Sequence, residues 1–165
     1  MLQNIIDTET DALSASAISK EAAMILFDFA AAFPSMARQF LWIALRACKI
    51  PEHVIAALMQ LYFFNIHFFQ GTSGLFFAFV AESGVRQGCP LSSVVFVLAT
   101  DCFVRALTAL VKGDGSMKAY ADDINVVVKH LFHSLPGLCS LFSGYGAISG
   151  LYLNPKMHID SFVAF

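Results

Sequence analysis

The hydrophobic positions of the first half of the chain form one short apolar run followed by stretches with helical spacing. Ala22 to Phe29 is a continuous apolar run with the length of a buried central strand. Helices are predicted from Pro34 to Cys48 and from Glu52 to Phe64, each opened by a proline. Residues 1–20 are polar and rich in Ser, Ala and Thr, so this N-terminal segment is a poor core former and a candidate for disorder.

The second half is divided by turn-forming residues. Its predicted elements are a β-hairpin (68–70 and 75–81, joined by 71–74), a long helix (91–111), two short strands around a tight turn (117–129), a helix (135–148) and a final extended segment (151–165). Strands and helices in this order predict an α+β domain, in which helices pack on an antiparallel sheet. The boundaries of this domain are expected at residues 21 and 165.

The composition is strongly apolar for a chain of 165 residues. Hydrophobic residues make up 58% and charged residues only 13%, with 17 phenylalanines, whereas soluble domains average about 25% charged residues. Two explanations are open. Either much of the surface is covered by another part of an assembly, or the chain is a small integral membrane protein.

Two stretches without charged residues test the membrane explanation. His53 to Ala81 and Leu131 to Leu153 contain no Asp, Glu, Lys or Arg, and a spanning helix needs about 20 mostly apolar residues. The first stretch contains the turn-forming segment Gly71 to Gly74, and the second contains Pro136 and four glycines. Helix-breaking residues at this density favour a protein outside the membrane, with a membrane protein as the alternative.

Charge and cysteine content further restrict the class of protein and its cellular compartment. The formal net charge is −2, which argues against a self-sufficient nucleic-acid-binding protein, because such proteins carry a basic surface. The four cysteines show no CxxC spacing and lie in apolar runs. We expect them to be reduced, which predicts an intracellular chain, in the nucleus or the cytoplasm.

Asp28 is an acidic residue within an apolar run. It follows Met24 to Phe27 and precedes Phe29. An ionised carboxylate is costly to bury unless it is paired or bound to a metal ion. Because most carboxylates reach solvent, an aspartate at a strand end that faces water or caps a helix is the alternative.

Asp122 and Asp123 form a second acidic feature, in the predicted turn Tyr120-Ala121-Asp122-Asp123. Aspartate is common in solvated turns. However, two adjacent acids joined by a third from another strand would form an all-oxygen site suited to Mg²⁺. Such a site can hold the two metal ions used in phosphoryl transfer.

The segment Gly84 to Ser92 (GVRQGCPLS) has the composition of a fixed loop. Gly88 permits close approach of the backbone to a ligand, and Ser92 is a candidate cap for the long helix that follows. An ordinary connector between a strand and a helix is the alternative.

These segments, in this order, resemble the motifs of the reverse transcriptase family, closest to its non-LTR retrotransposon and group II intron branch. Phe27 to Phe33 (FDFAAAF) resembles the first palm motif, Gly84 to Ser92 the Gln-Gly loop motif, and Tyr120 to Asp123 (YADD) the tyrosine-x-aspartate-aspartate motif. Gly150 to Lys156 is a weaker match to a Gly-Leu…Asn…Lys segment. The resemblance extends from Ala22 to Lys156.

The resemblance implies the palm of a right-hand polymerase with part of the fingers, and RNA-directed DNA polymerase activity. Asp28 and Asp122 would bridge two Mg²⁺ ions, with Mn²⁺ as an alternative ion, and Asp123 would complete the metal site. The metal ions would activate the 3′-hydroxyl of the primer and neutralise the triphosphate.

The implied partners are an RNA template, a DNA primer and a dNTP. Phe33 would abut the 2′ position of the sugar and exclude ribonucleotides, a role compatible with core packing. Gln87 and Gly88 would line the incoming nucleotide and the template base, and Arg86 would reach a backbone phosphate. Lys156 would approach the leaving pyrophosphate, with a solvated lysine as the alternative.

The sequence also departs from the family pattern. Pro34 and Ser93 stand where an Asp and a Pro are usual. No segment corresponds to the basic fingers strands or to the thumb of a complete enzyme. We therefore expect a truncated retroelement polymerase whose fingers and thumb are missing partners, inactive as an isolated fragment. A non-catalytic remnant is the further alternative.

Overall fold

The computed structural model describes residues 2–154 and 158–161, which form six helices and six strands. In chain order these are α1 (Leu2–Ile18), β1 (Ala23–Asp28), α2 (Ala32–Ser35), α3 (Arg38–Ala47), α4 (Glu52–Tyr62), β2 (Asn65–Gly71), β3 (Gly74–Ala81), α5 (Pro90–Val111), β4 (Gly115–Tyr120), β5 (Asp123–Val128), α6 (Leu131–Ser149) and β6 (His158–Ser161). The predicted strand around Asp28, the long helix and both hairpins are all present.

Four strands form an antiparallel sheet in the order β4-β5-β1-β6. Because side chains alternate along a strand, Ile25 and Phe27 of β1 point to the same face as Ile124 and Val126 of β5. All four are buried in the main core together with residues of α5 and α6. This face of the sheet is therefore filled by helices, and a site on the sheet must open on the other face.

The N-terminal segment is a helix, which corrects the expectation of disorder for residues 1–20 over the described part of that segment. Helix α1 lies on the second face of the sheet, where Ala12 and Ala15 pack against Ala22 and Val127. The Ser116 hydroxyl of β4 donates a hydrogen bond to the Asp11 carboxylate at 2.7 Å. Small side chains let the helix approach the sheet closely, so packing stabilises a segment of low hydrophobicity.

The single helix predicted from Pro34 to Cys48 is divided into α2 and α3. Met36, at the end of α2, and Ala37, before α3, have extended ψ angles of 122° and 119°. The Ala37 amide donates to the carbonyl of Ser149 at 2.7 Å. The amide of Ala37 is thus bonded to the end of α6, and not to a preceding turn of its own helix.

Helix α6 begins at Leu131, four residues before the predicted start. Its first turn is held by Asp114, whose carboxylate accepts hydrogen bonds from the His130 backbone amide at 3.4 Å and the Ser134 hydroxyl at 2.6 Å. The prediction placed Pro136 in the first turn of the helix. The bonds to Asp114 extend α6 towards the N-terminus, so that the helix begins before this proline.

The first charge-free stretch does not form one membrane helix. It is divided between α4 and the hairpin of β2 and β3, whose large apolar side chains are exposed. Within the described residues, α5 is the one helix that is long and apolar enough to cross a membrane. One side of α5 is buried in the main core, as in the core helix of a globular domain.

Candidate active site

Two of the three predicted metal ligands lie directly opposite each other. Asp28 ends β1, Asp123 begins β5, and the two are Cα partners in the antiparallel pairing of these strands. Partners in such a pair have Cβ atoms about 5 Å apart and point to the same face. Since Phe27 and Ile124 point into the main core, Asp28 and Asp123 both lie on the face occupied by α1.

The third predicted ligand, Asp122, lies in the turn of the β4–β5 hairpin. Tyr120 pairs with Asp123, so that Ala121 and Asp122 form a two-residue connection. Ala121 has a φ of 55°, in the left-handed region that such tight hairpin turns require. The turn thereby holds two adjacent carboxylates at the end of the sheet.

Asp123 is affected electrostatically by the other two carboxylates. Partial burial, followed by the negative charges of Asp122 and Asp28, raises the pKa of Asp123 above its usual value. Among the described residues, no three acidic, histidine or cysteine side chains converge closely enough to form a ready-made metal site. The predicted donor set is nevertheless all-oxygen and acidic, as a Mg²⁺ or Mn²⁺ site requires.

Asn154 is a polar residue beside Asp28 that has no role in the motif-based prediction of the site. Its side-chain amide donates to the Asp28 carboxylate at 3.2 Å, and its backbone amide donates to the Asp28 carbonyl at 2.8 Å. The segment that follows α6 is thereby bonded to the end of β1. The position of Asn154 within the weak Gly150–Lys156 match was the available signal.

The loop from Gly84 to Ser92 is bonded to the segment that follows Asp28. The amide of Val85 donates to the carbonyl of Phe33, and the amide of Gly84 to the carbonyl of Met36, both at 2.8 Å. Gly84 has a φ of 75°, and a Cβ at this position would lie 2.4 Å from the Pro34 carbonyl oxygen. The first and second motifs therefore form one connected structure.

The predicted substrate-binding residues have different surroundings. Phe33 is half-buried and stacks on Phe96 of α5, with ring centroids 4.8 Å apart. Arg86 donates to the carbonyl of Leu61 at 3.0 Å, so part of its guanidinium is already engaged. Gln87 and Gly88 are exposed, and Gly88 has a φ of 85°.

A cavity of about 600 Å³ lies between this loop and the β2–β3 hairpin. Arg86 and Gln87 line it together with Pro34, and His67 and Phe79 line it from the hairpin. Arg86 and Gln87, two of the predicted substrate-binding residues, therefore line the same concave surface. Lys156, the remaining predicted residue, lies outside the described residues.

Ser92 does not cap α5, which corrects the prediction. The helix begins at Pro90 with Cys89 as its N-cap residue. The Ser92 side chain is buried, and its hydroxyl lies 2.9 Å from the hydroxyl of Tyr62 at the end of α4. Ser92 thus joins α5 to α4 instead of satisfying the amides at its own helix end.

Comparison with known proteins identifies the family. A model of the reverse transcriptase (RNA-dependent DNA polymerase) family matches residues 2–157, which is most of the chain. The chain therefore belongs to the reverse transcriptase family, and the resemblance drawn from its motifs is confirmed.

Solved telomerase structures share the fold. Apo telomerase from Candida tropicalis has a TM-score of 0.70 at 13% sequence identity, covering 96% of this chain and 32% of that chain. Telomerase from Candida albicans in complex with the TWJ fragment of telomeric RNA has a TM-score of 0.69 at 14% identity, covering 96% and 30%. At these identities the similarity establishes the fold alone, which confirms the predicted α+β palm. The chain spans about a third of the length of these telomerases.

Proposed function

We propose that this chain is the palm of an RNA-directed DNA polymerase from a non-LTR-type retroelement. It would transfer a nucleotide from a dNTP to the 3′-hydroxyl of a DNA primer paired with an RNA template. The observation that carries the proposal is the pairing of Asp28 with Asp123, because it joins the first and third motifs at one end of the sheet. Membership of the reverse transcriptase family supports the same reaction.

Asp28, Asp122 and Asp123 would hold two Mg²⁺ ions, or Mn²⁺ ions in their place. When bound, these ions lower the pKa of the primer hydroxyl and stabilise negative charge on the phosphates. The three carboxylates would fix where the positive charge of these ions lies. Asn154 donates a hydrogen bond to the Asp28 carboxylate and would keep it oriented towards the site.

The loop and the segment after β1 would bind the substrates. Phe33 stacks against α5 and would present a rigid edge to the sugar, favouring a dNTP. Gln87 and Gly88 would line the nucleotide and the template base, and the free part of the Arg86 guanidinium would contact a phosphate. Lys156 would approach the pyrophosphate. RNA in the Candida albicans telomerase complex is consistent with an RNA template here.

The fingers and thumb of a complete polymerase would be supplied outside the region described. The exposed phenylalanines of the β2–β3 hairpin support this, because uncovered apolar surface of this kind marks contact with another protein part. An intracellular location follows from the reaction, because dNTPs are intracellular substrates.

Primer extension with a polymerase that joins this chain to fingers and thumb tests the proposal. We expect incorporation of dNTPs on an RNA template with Mg²⁺, and a rate lower by about a thousandfold in Asp122→Ala, since metal ions supply several kcal/mol. Asp101→Ala, which removes a surface carboxylate paired with Arg105, is the matched control and is expected to keep the rate. Equal incorporation by wild type and Asp122→Ala would eliminate the assigned site. The isolated 165 residues are expected to show no measurable synthesis.

A further inference from the structure

Arg38 binds three backbone carbonyls at the base of the Gln-Gly loop. Its Nε donates to the carbonyl of Gly84 at 3.1 Å, its Nη1 to that of Tyr62 at 2.9 Å, and its Nη2 to that of Ser83 at 3.1 Å. Arg38 is the first residue of α3 and is half-buried. The acceptors belong to two segments, the end of α4 and the start of the loop.

The C-terminal end of α4 is an anchor for this arrangement. The last carbonyls of a helix have no partner within the helix, and positive charge is favourable there. Arg38 satisfies the carbonyl of Tyr62, and Arg86, within the loop itself, satisfies that of Leu61. Two arginines thus bond the loop region to one helix end.

The far end of the loop is joined to the same helix. The Arg38 guanidinium lies 5.6 Å from the centre of the Tyr62 ring, whose hydroxyl pairs with that of Ser92 at 2.9 Å. Ser83 and Gly84 are held at one end of the loop by Arg38, and Ser92 is held at the other end by Tyr62. Gln87 and Gly88 lie between these fixed points.

Arginine is suited to this position for geometric reasons. Its guanidinium presents donors in a rigid planar fork, whereas the ammonium of lysine is a point charge on a flexible stem. Three carbonyls in different directions can be satisfied by one arginine and not equally by one lysine. Arg38 lies outside all four family motifs, so no motif marks it as a functional residue.

We propose that Arg38 is a positioning residue that sets the Gln87–Gly88 segment relative to the carboxylates of the candidate active site. The inference rests on the proposed polymerase function and extends it to a residue outside the predicted substrate-binding set. Arg38 acts through the backbone of Ser83 and Gly84, which continues directly into the nucleotide-binding loop. The substrate that depends on it is the incoming dNTP.

Hydrogen–deuterium exchange of the 165-residue chain tests the structural part. Arg38→Ala is expected to increase amide exchange about tenfold or more from Gly84 to Cys89, because loop opening becomes easier. Arg38→Lys is expected to give a smaller increase in amide exchange. It replaces the alanine variant in this test if Arg38→Ala fails to fold. Arg46→Ala is the matched control, since Arg46 lies on the same helix and pairs only with exposed Glu52 in the contacts described. Unchanged exchange in both Arg38 variants overturns the proposal.

Nucleotide kinetics in the joined polymerase test the functional part. Arg38→Ala is expected to raise the KM for dNTP about tenfold or more, with a smaller effect on kcat, because misplacement of a positioning element weakens substrate alignment. Methylguanidinium in the buffer is expected to recover part of the loss in Arg38→Ala and none in Asp122→Ala. An unchanged KM despite faster loop exchange overturns the positioning role. Absence of synthesis by the wild type contradicts the proposed function instead, and the exchange result still decides whether Arg38 orders the loop.

Discussion

Asp28 and Asp123 face each other across β1 and β5, so two negative charges from distant parts of the sequence share one end of the sheet. Partial burial of Asp123, followed by the negative charges of Asp122 and Asp28, raises the pKa of Asp123 above its usual value. Mutual repulsion of this kind disfavours the folded state unless cations are bound. A cluster that destabilises the apo-protein is typical of a functional site.

Asp123→Asn is expected to stabilise the metal-free protein while weakening Mn²⁺ binding. Removing one of the repelling charges should raise Tm by roughly 1–3 °C, the range expected for an exposed charge. Calorimetry without divalent ions measures the first effect, and the loss of the free Mn²⁺ signal in electron paramagnetic resonance measures the second. A variant that is less stable and binds Mn²⁺ like the wild type would contradict both expectations.

The stabilisation by Asp123→Asn should depend on pH. A raised pKa in the folded state means that protonated Asp123 favours folding, and that this stability is lost as pH rises through the folded-state value. The Tm difference between variant and wild type is therefore expected to be small near pH 4 and larger near pH 7. A Tm difference that becomes smaller as pH rises would contradict this prediction.

Gly84→Ala is expected to destabilise the fold by about 2 kcal/mol or more, because the new Cβ would meet the Pro34 carbonyl and the φ of 75° is unfavourable for alanine. Gly88→Ala is the matched control. Gly88 also has a positive φ, but an added Cβ would meet no atom within 4 Å. Urea unfolding of both variants isolates the steric contribution to the loss of stability. Equal losses of unfolding free energy in the two variants would contradict the close approach of Gly84 to Pro34.

Tyr62→Phe and Ser92→Ala are each expected to cost about 1–2 kcal/mol, because each leaves one buried hydroxyl without its partner. The double variant should cost less than the sum of the two single variants, since it removes both hydroxyls together. Denaturant unfolding of the four proteins gives the coupling free energy. Additive losses would show that the two hydroxyls do not interact.

Asp114→Ala is expected to destabilise the protein by about 1–2 kcal/mol at neutral pH, because it removes the hydrogen bonds that begin α6. Burial raises the pKa of Asp114, but hydrogen bonds from Ser134 and His130 outweigh it and the net pKa is lowered. This stability is present above the unfolded-state pKa, near 4, and is lost as pH falls through the folded-state value. Unfolding at pH 7 and pH 3 measures the difference, which should become smaller at pH 3.

Local sequence patterns were sufficient for most elements but not for their ends. The apolar run before Asp28 and the long stretch after Pro90 were predicted close to β1 and α5, because length and hydrophobicity alone distinguish them. The break between α2 and α3 was missed. It depends on a hydrogen bond from Ala37 to Ser149, which is a contact between distant parts of the chain.

Helix α1 was missed for a related reason. Its polar sequence has little drive to form a core, and the small residues Ala12 and Ala15 become useful only against the complementary surface of Ala22 and Val127. Helix stability in such a segment comes from tertiary packing more than from propensity. The start of α6 shows the same dependence, because Asp114 contacts it from the connection between α5 and β4.

The family, the fold class and the three acidic candidates can be read from residue types alone, because an ordered set of motifs carries that information without knowledge of the fold. Three further relationships are visible only in the folded chain: Asp28 pairs with Asp123, both lie on the face where α1 packs, and Arg38 bonds to the loop. The reason is physical. Strand register and hydrogen bonds to backbone carbonyls join groups by position in space, and backbone carbonyls are the same at every residue, so no side-chain pattern marks the ones that Arg38 binds.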